Sequence, residues 1–230
     1  MDFSGAGPVR GVCFDGRMNA PETARRLPDP ATVRDLSRRT ALLEFLVNPD
    51  GRYRRYDFVP GWRPGWDLAT MSNGGGDEYA VALSDTAGLI RCFDHESEMS
   101  PYANDEEPWP GTVDALPAEF AFLMADADFS GGDELSVSAL LWCPPGEASW
   151  RTGVSGERED GSGWLLGGLC AADPARYHHE GFQDYYGRSL DLHAVRAVFE
   201  GRPLTEGTAT GLNPEADPAE LVRRAAAYPS

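Results

Sequence analysis

Lysine is absent from this 230-residue chain, and all 20 basic residues are arginine. A phosphate-gripping P-loop lysine is therefore excluded. The sequence also lacks GxGxxG, GxxxxGK, GxSxG and HExxH. With those fingerprints missing, no nucleotide, hydrolase-elbow or zincin chemistry is indicated and no cofactor is expected. No segment approaches 18 consecutive apolar residues, so no transmembrane helix and no membrane partner is expected. The start, Met1-Asp2-Phe3-Ser4-Gly5, has neither a basic region nor an apolar run. A secretory signal is thus not expected, and the default compartment is the cytoplasm. Cysteine is scarce. Cys13, Cys92, Cys143 and Cys170 form no CxxC pair and read as buried thiols rather than disulfides or zinc ligands.

Negative charge is abundant and unevenly placed. The formal net charge is −17. Between Pro64 and Trp150 there are 17 acidic residues against the single Arg91, a local balance of −16. The rest of the chain holds 20 acidic and 19 basic residues. A face of that sign repels phosphate and attracts cations or basic protein surfaces. Arg52-Tyr53-Arg54-Arg55-Tyr56 interleaves basic and aromatic residues, but the overall charge argues against nucleic acid as a partner. The expected partner is a basic protein.

Residues 1–28 contain Gly5, Gly7, Pro8, Gly11, Gly16, Pro21 and Pro28 without a sustained period. They read as a loop-rich lead-in to one α+β domain over residues 29–230. Asp29-Pro30 supplies an N-cap and a proline at the first helical position. Val33, Leu36, Thr40, Leu43 and Val47 then fall on one helical face, and Asn48-Pro49-Asp50-Gly51 ends it with turn chemistry. A strand over 52–58 is expected next; a hairpin pairing 44–47 with 52–58 is the alternative. Trp62 and Trp66 read as anchors of an irregular loop. Runs 78–84 and 88–93 predict a hairpin around Asp85-Thr86-Ala87. Residues 118–124 fit one or two helical turns. Leu135, Val137, Ala139 and Leu141 alternate as a central strand ending at Pro144-Pro145, with 150–154 as its neighbour. Beyond Gly163, segments 164–170, 175–186, 192–199 and 219–227 read as helices, with Asp173, Asp191 and Asp217 as start signals. The fold class expected is α+β: a central, mostly antiparallel sheet with an N-terminal helix and several C-terminal helices.

Four motifs are candidates for chemistry. Asn73-Gly74-Gly75-Gly76-Asp77 is glycine-rich, but Asp77 and Glu78 would repel phosphate, so it reads as a tight turn. Asp94-His95-Glu96 follows a strand. Carboxylates beside an imidazole suffice for acid–base work or a hard-metal site, but a hydrogen-bonded strand terminus is the preferred reading. Asp126, Asp128 and Ser130 occupy the first, third and fifth positions of a calcium loop, but the twelfth is Val137 rather than glutamate. They are weak metal candidates, and no bound metal is expected. His178-His179-Glu180 lies on a predicted helix, where adjacent side chains diverge too far to share an ion.

Local runs carry a resemblance: 71–102 with Asn73-Gly74 and Phe93-Asp94-His95-Glu96-Ser97, Leu140-Leu141-Trp142 followed by Trp150, and Pro203-Leu204-Thr205 with Leu212-Asn213-Pro214. Together they resemble uncharacterised bacterial proteins encoded near polymorphic toxins. The order of helix, sheet and helices is loosely similar to the SUKH superfamily, which implies a toxin-immunity role. The function expected is thus a non-enzymatic acidic binding protein, an immunity-type neutraliser of a basic protein. Its contact residues would be Asp77, Glu78, Asp94, Glu96, Glu98, Asp105, Glu106 and Glu107, with Trp66 and Trp109 as anchors. The alternatives are a metal-assisted hydrolase built on Asp94, His95 and Glu96 with help from Asp77, and a regulatory or structural domain without a dedicated ligand.

Overall fold

A computed structural model describes residues 18–132 and 136–228. Two helices come first: α1 (Ala20–Arg26) and α2 (Pro30–Val47). A five-stranded antiparallel sheet follows, in the order β1 (Tyr56–Arg63), β2 (Trp66–Ser72), β3 (Glu78–Leu83), β4 (Gly88–Phe93) and β5 (Ala139–Cys143). Between β4 and β5 lie the short helices α3 (Ala121–Met124) and α4 (Ala127–Ser130). After β5 come α5 (Ser162–Leu165), α6 (Gly167–Cys170), α7 (Pro174–Tyr186), α8 (Leu192–Phe199), α9 (Glu206–Leu212) and α10 (Pro218–Ala226). This is the expected α+β class, with an antiparallel sheet between helices.

Both faces of the sheet are covered. In β3, Tyr79, Val81 and Leu83 face one core and Ala80 and Ala82 the other. In β5, Ala139, Leu141 and Cys143 alternate in the same way with Leu140 and Trp142. That is why β3, β4 and β5 read as nearly continuous apolar runs. One face packs on α1, the first half of α2, α5 and α6; the other is closed by Phe120, Leu123 and Phe129 from the segment between β4 and β5. The second half of α2, from Leu43 to Val47, packs instead among α7 to α10. Helix α2 is therefore shared between two cores and is buried well beyond the single stripe of its heptad-like pattern.

Several details differ from the sequence expectation. Residues 18–28 of the lead-in hold a helix: Asn19 caps α1, and the Ala20 N–H donates to Asp160 at 2.6 Å. Residues 1–17 lie outside the described residues. Trp62 and Trp66 belong to a β-hairpin, not an irregular loop, with Arg63 opposite Trp66 across Pro64-Gly65. Gly65 supplies the positive φ (79°) that position requires, and Gly61 the bulge before it. The fifth strand starts at Ala139, so Val137 packs on the opposite face from Ala139 and Leu141; Leu135 is not described. Residues 150–154 make one bridge, Trp142 to Arg151, rather than a strand. Helix α9 escaped the sequence pattern because Gly207, Thr208, Thr210 and Gly211 leave only Ala209 and Leu212 to mark its buried face. No helix among the described residues is long and apolar enough to cross a membrane.

Candidate functional site

Asp77, Glu78 and Asp94 to Glu98 lie at one end of the sheet, in the β2–β3 turn and just after β4, while Asp67, Asp85 and Glu147 lie at the other end. The glycine-rich run is the β2–β3 turn. Asn73 Oδ1 accepts from the Gly75 and Asp77 N–H groups, and Gly74 and Gly76 take positive φ. This places Asp77 beneath the end of β4. Asp77 Oδ1 accepts from the His95 backbone N–H at 3.1 Å and pairs with its Nδ1 at 2.6 Å, while Oδ2 accepts from Asn73 Nδ2. The hydrogen bond to Asp77 raises the His95 pKa, with the charges of Asp77, Glu96 and Asp94 adding to it. Asp94 accepts the Glu96 N–H on Oδ1 and the Trp164 indole N–H on Oδ2, at 2.9 Å. Gly161 presses on it closely: a Cβ there would lie 2.3 Å from that of Asp94.

One ligand atom from each of Asp77, Asp94 and His95 falls within 4.8 Å of the others. These are the groups a small hard cation uses. Here, however, every oxygen of the two carboxylates already accepts a protein N–H. Glu96, the third member of the predicted triad, is exposed and stands outside the cluster. The calcium-loop candidates are arranged for helix capping: Asp126 caps α4 and pairs with Arg63, Asp128 accepts the Trp62 indole N–H, and Ser130 donates to Gly132 O.

Part of the local negative charge is neutralised from outside the stretch. Arg34 of α2 pairs with Asp67 and Asp85, Arg151 with Glu147, and Arg158 with Glu98. Glu78 is held by the buried Arg91, whose other nitrogens donate to Phe129 O and Ser136 O. Among the described residues, Asp105, Glu106 and Glu107 have no basic partner. They sit on a loop tied to itself. Glu106 N–H donates to Pro101 O, and Asn104 Nδ2 to Glu107 O. Asp105 and Glu106 are held at φ of 52° and 64°, a region costly to residues with a Cβ. Tyr102 on the same loop is 65% exposed, its ring edge-on to Phe93.

The two predicted tryptophan anchors are half-buried. Trp66 packs edge-on to the exposed Phe122, and Trp109 lies under the Arg158 guanidinium at 4.8 Å. Tyr102, Arg158 and Trp164 were missed by sequence reasoning. Tyr102 carries no periodicity, and the other two sit 60 and 70 residues from their partners. No family model matches the chain, and neither a curated protein nor a solved structure matches it.

Proposed function

We propose that the protein is a non-enzymatic binding protein whose loop 101–109 docks on a basic protein partner. The observation that carries this is the row of unneutralised carboxylates at Asp105, Glu106 and Glu107 beside the exposed Tyr102, on a backbone fixed by its own hydrogen bonds. A preformed loop loses little freedom on docking. Its charge steers encounter, and a neighbouring aromatic supplies contact area. In the setting the resemblance implies, the partner is a toxin and the loop masks a basic groove. Immobilised wild-type protein should capture a basic protein from the native host at low salt and release it at high salt, because screening acts within about 10 Å at 0.1 M. The triple variant Asp105→Asn, Glu106→Gln, Glu107→Gln should not capture it. Equal capture by both proteins refutes the proposal.

A second reading, a metal-assisted hydrolase, is favoured by the approach of Asp77, Asp94 and His95. A cation there must displace the His95 and Trp164 N–H donors. Calorimetric titration with manganese and zinc tests it, and saturable binding lost in His95→Ala supports it.

A further inference from the structure

Next to the acidic loop is a cleft of about 230 Å³, walled by Pro21, Met99, Trp109 and Val154. Small-molecule sites occupy roughly 300–1,000 Å³, so this one suits a single side chain better than a cofactor or substrate. Its mouth carries Arg158, whose guanidinium stands over the Trp109 ring at 4.8 Å and donates to Glu98 at 2.9 Å. Ring face and carboxylate together already form a seat for a guanidinium, filled from within the chain. The tie is weak: the side chains of Arg158 and Glu98 are 55% and 72% exposed, and such pairs contribute about 0–1 kcal/mol. The surroundings are otherwise acidic or neutral. Glu157 lines the cleft, and Glu107 lies two positions from Trp109; Asp160, also in the lining, is buried with its oxygens held by the Ala20 and Ser162 N–H groups.

Resting on the acidic-loop reading, we infer that the cleft beside Trp109 receives an arginine side chain of the partner, which displaces Arg158 from the ring and from Glu98. A planar guanidinium stacks on an indole and pairs with a carboxylate at once; an ammonium has no flat face to stack. The seat therefore adds, through the ring face, a discrimination of arginine from lysine beyond what carboxylates alone provide. Arg158 keeps the ring covered until an arginine that is also held by the loop takes its place.

Hexa-arginine and hexa-lysine peptides, titrated by calorimetry, test this. The wild type should bind hexa-arginine two- to fivefold more tightly than hexa-lysine, the size of an exposed cation–π contact. Arg158→Ala should tighten hexa-arginine more than hexa-lysine. Arg202→Ala removes the same charge from a surface pair with Glu200 and should affect both peptides alike. Trp109→Leu should erase the arginine preference; should that variant not fold, Arg158→Ala still decides, since Arg158 is exposed. The triple loop variant should weaken both peptides equally. No arginine preference in the wild type, or equal gains for both peptides in Arg158→Ala, overturns the cleft inference and leaves the loop reading standing if the triple variant still weakens binding. A preference that persists while the triple variant binds normally refutes the loop reading instead.

Discussion

The sharpest stability test concerns His178, which lies on α7 and is 4% exposed. Its ring stacks on Phe199 at 5.4 Å and meets Tyr56 and Phe182 edge-on. Among the described residues, its ring hydrogen-bonds through Nε2 to Thr40 Oγ1, 3.2 Å away. Burial, helped by the charge of Arg55, pushes its pKa down from 6.5 to about 3. The folded pKa is below the unfolded one, so the unfolded chain takes up the proton first as pH falls. The contribution is present above pH 6.5 and lost between 6.5 and 3. At 1.36 kcal/mol per unit, the loss is about 2 kcal/mol by pH 5 and about 3 kcal/mol by pH 4. His178→Phe keeps a ring in the stack and removes the titration. The missing Thr40 contact adds an offset that does not vary over this range. The assay is urea unfolding followed by tryptophan fluorescence at pH 4 to 8 in both proteins. Other titrating groups, including Glu44, Asp160 and His95 with raised pKa values, are common to both and cancel in the difference. Wild type should lose about 2 kcal/mol relative to the variant between pH 7 and pH 5. Gly168 comes close to the imidazole, where a Cβ would lie 2.6 Å from Nε2, so His178→Leu is the fallback if phenylalanine does not fit. A flat difference curve refutes the assignment of His178 as a buried neutral imidazole.

Glu44 is buried on α2, accepts the Tyr186 hydroxyl, and has its pKa raised mainly by burial; Glu44→Gln should be more stable than wild type at pH 8, with the advantage shrinking toward pH 5 in thermal melts, because wild type gains as its carboxyl protonates. Gly161→Ala must fit a Cβ against Asp94 at a φ of 80°, so chemical denaturation should show a loss of about 2–4 kcal/mol, from the left-handed conformation and the clash together. His95→Ala removes a charge-assisted bond from a side chain 38% exposed; the cost should be about 1 kcal/mol, present below pH 6.5 and fading as pH rises through the raised pKa of His95. Unfolding curves at pH 5.5 and 8.5 check this, and a larger cost at the higher pH counts against the Asp77 pair.

The elements legible in the sequence are those with local causes. Asp29-Pro30 and the 3-4-3-4 spacing mark α2 because a cap and a stripe are read within one helix. Asp173, Asp191 and Asp217 start α7, α8 and α10 for the same reason: each accepts a first-turn N–H. The β3–β4 hairpin follows from its apolar runs and the Ser84–Ala87 turn. What escaped is what distant partners decide. The N-terminal helix is short and proline-bearing, and is held by Asp160, 140 residues away. The β1–β2 hairpin hides behind Pro60 and Gly61, which β1 tolerates as an edge strand, and Pro64, which sits in the turn. Of the candidate site, the meeting of Asp77 with His95 depends on the register of Glu78 opposite Phe93, which no linear pattern displays.

Charge shows the same limit most plainly. Counted along the chain, residues 64–150 are almost uniformly acidic, and any of 17 carboxylates is a candidate contact. Folding divides them. Arg34, Arg63, Arg151 and Arg158, all outside that stretch, return to neutralise Asp67, Asp85, Asp126, Glu147 and Glu98, while Arg91 takes Glu78 and His95 takes Asp77. A carboxylate with a partner contributes little field at a distance; one without a partner keeps its full effect. Among the described residues of the stretch, Asp94, Glu96, Asp105, Glu106, Glu107, Asp114, Glu119 and Asp128 remain without a basic partner, and Asp105, Glu106 and Glu107 are consecutive among them. Their left-handed backbone and internal hydrogen bonds keep them at one place on the surface. Within the diffuse acidic stretch of the sequence, the fold thus sets three consecutive unpaired carboxylates on one loop with an aromatic on either side, Tyr102 exposed and Trp109 lining a side-chain-sized cleft.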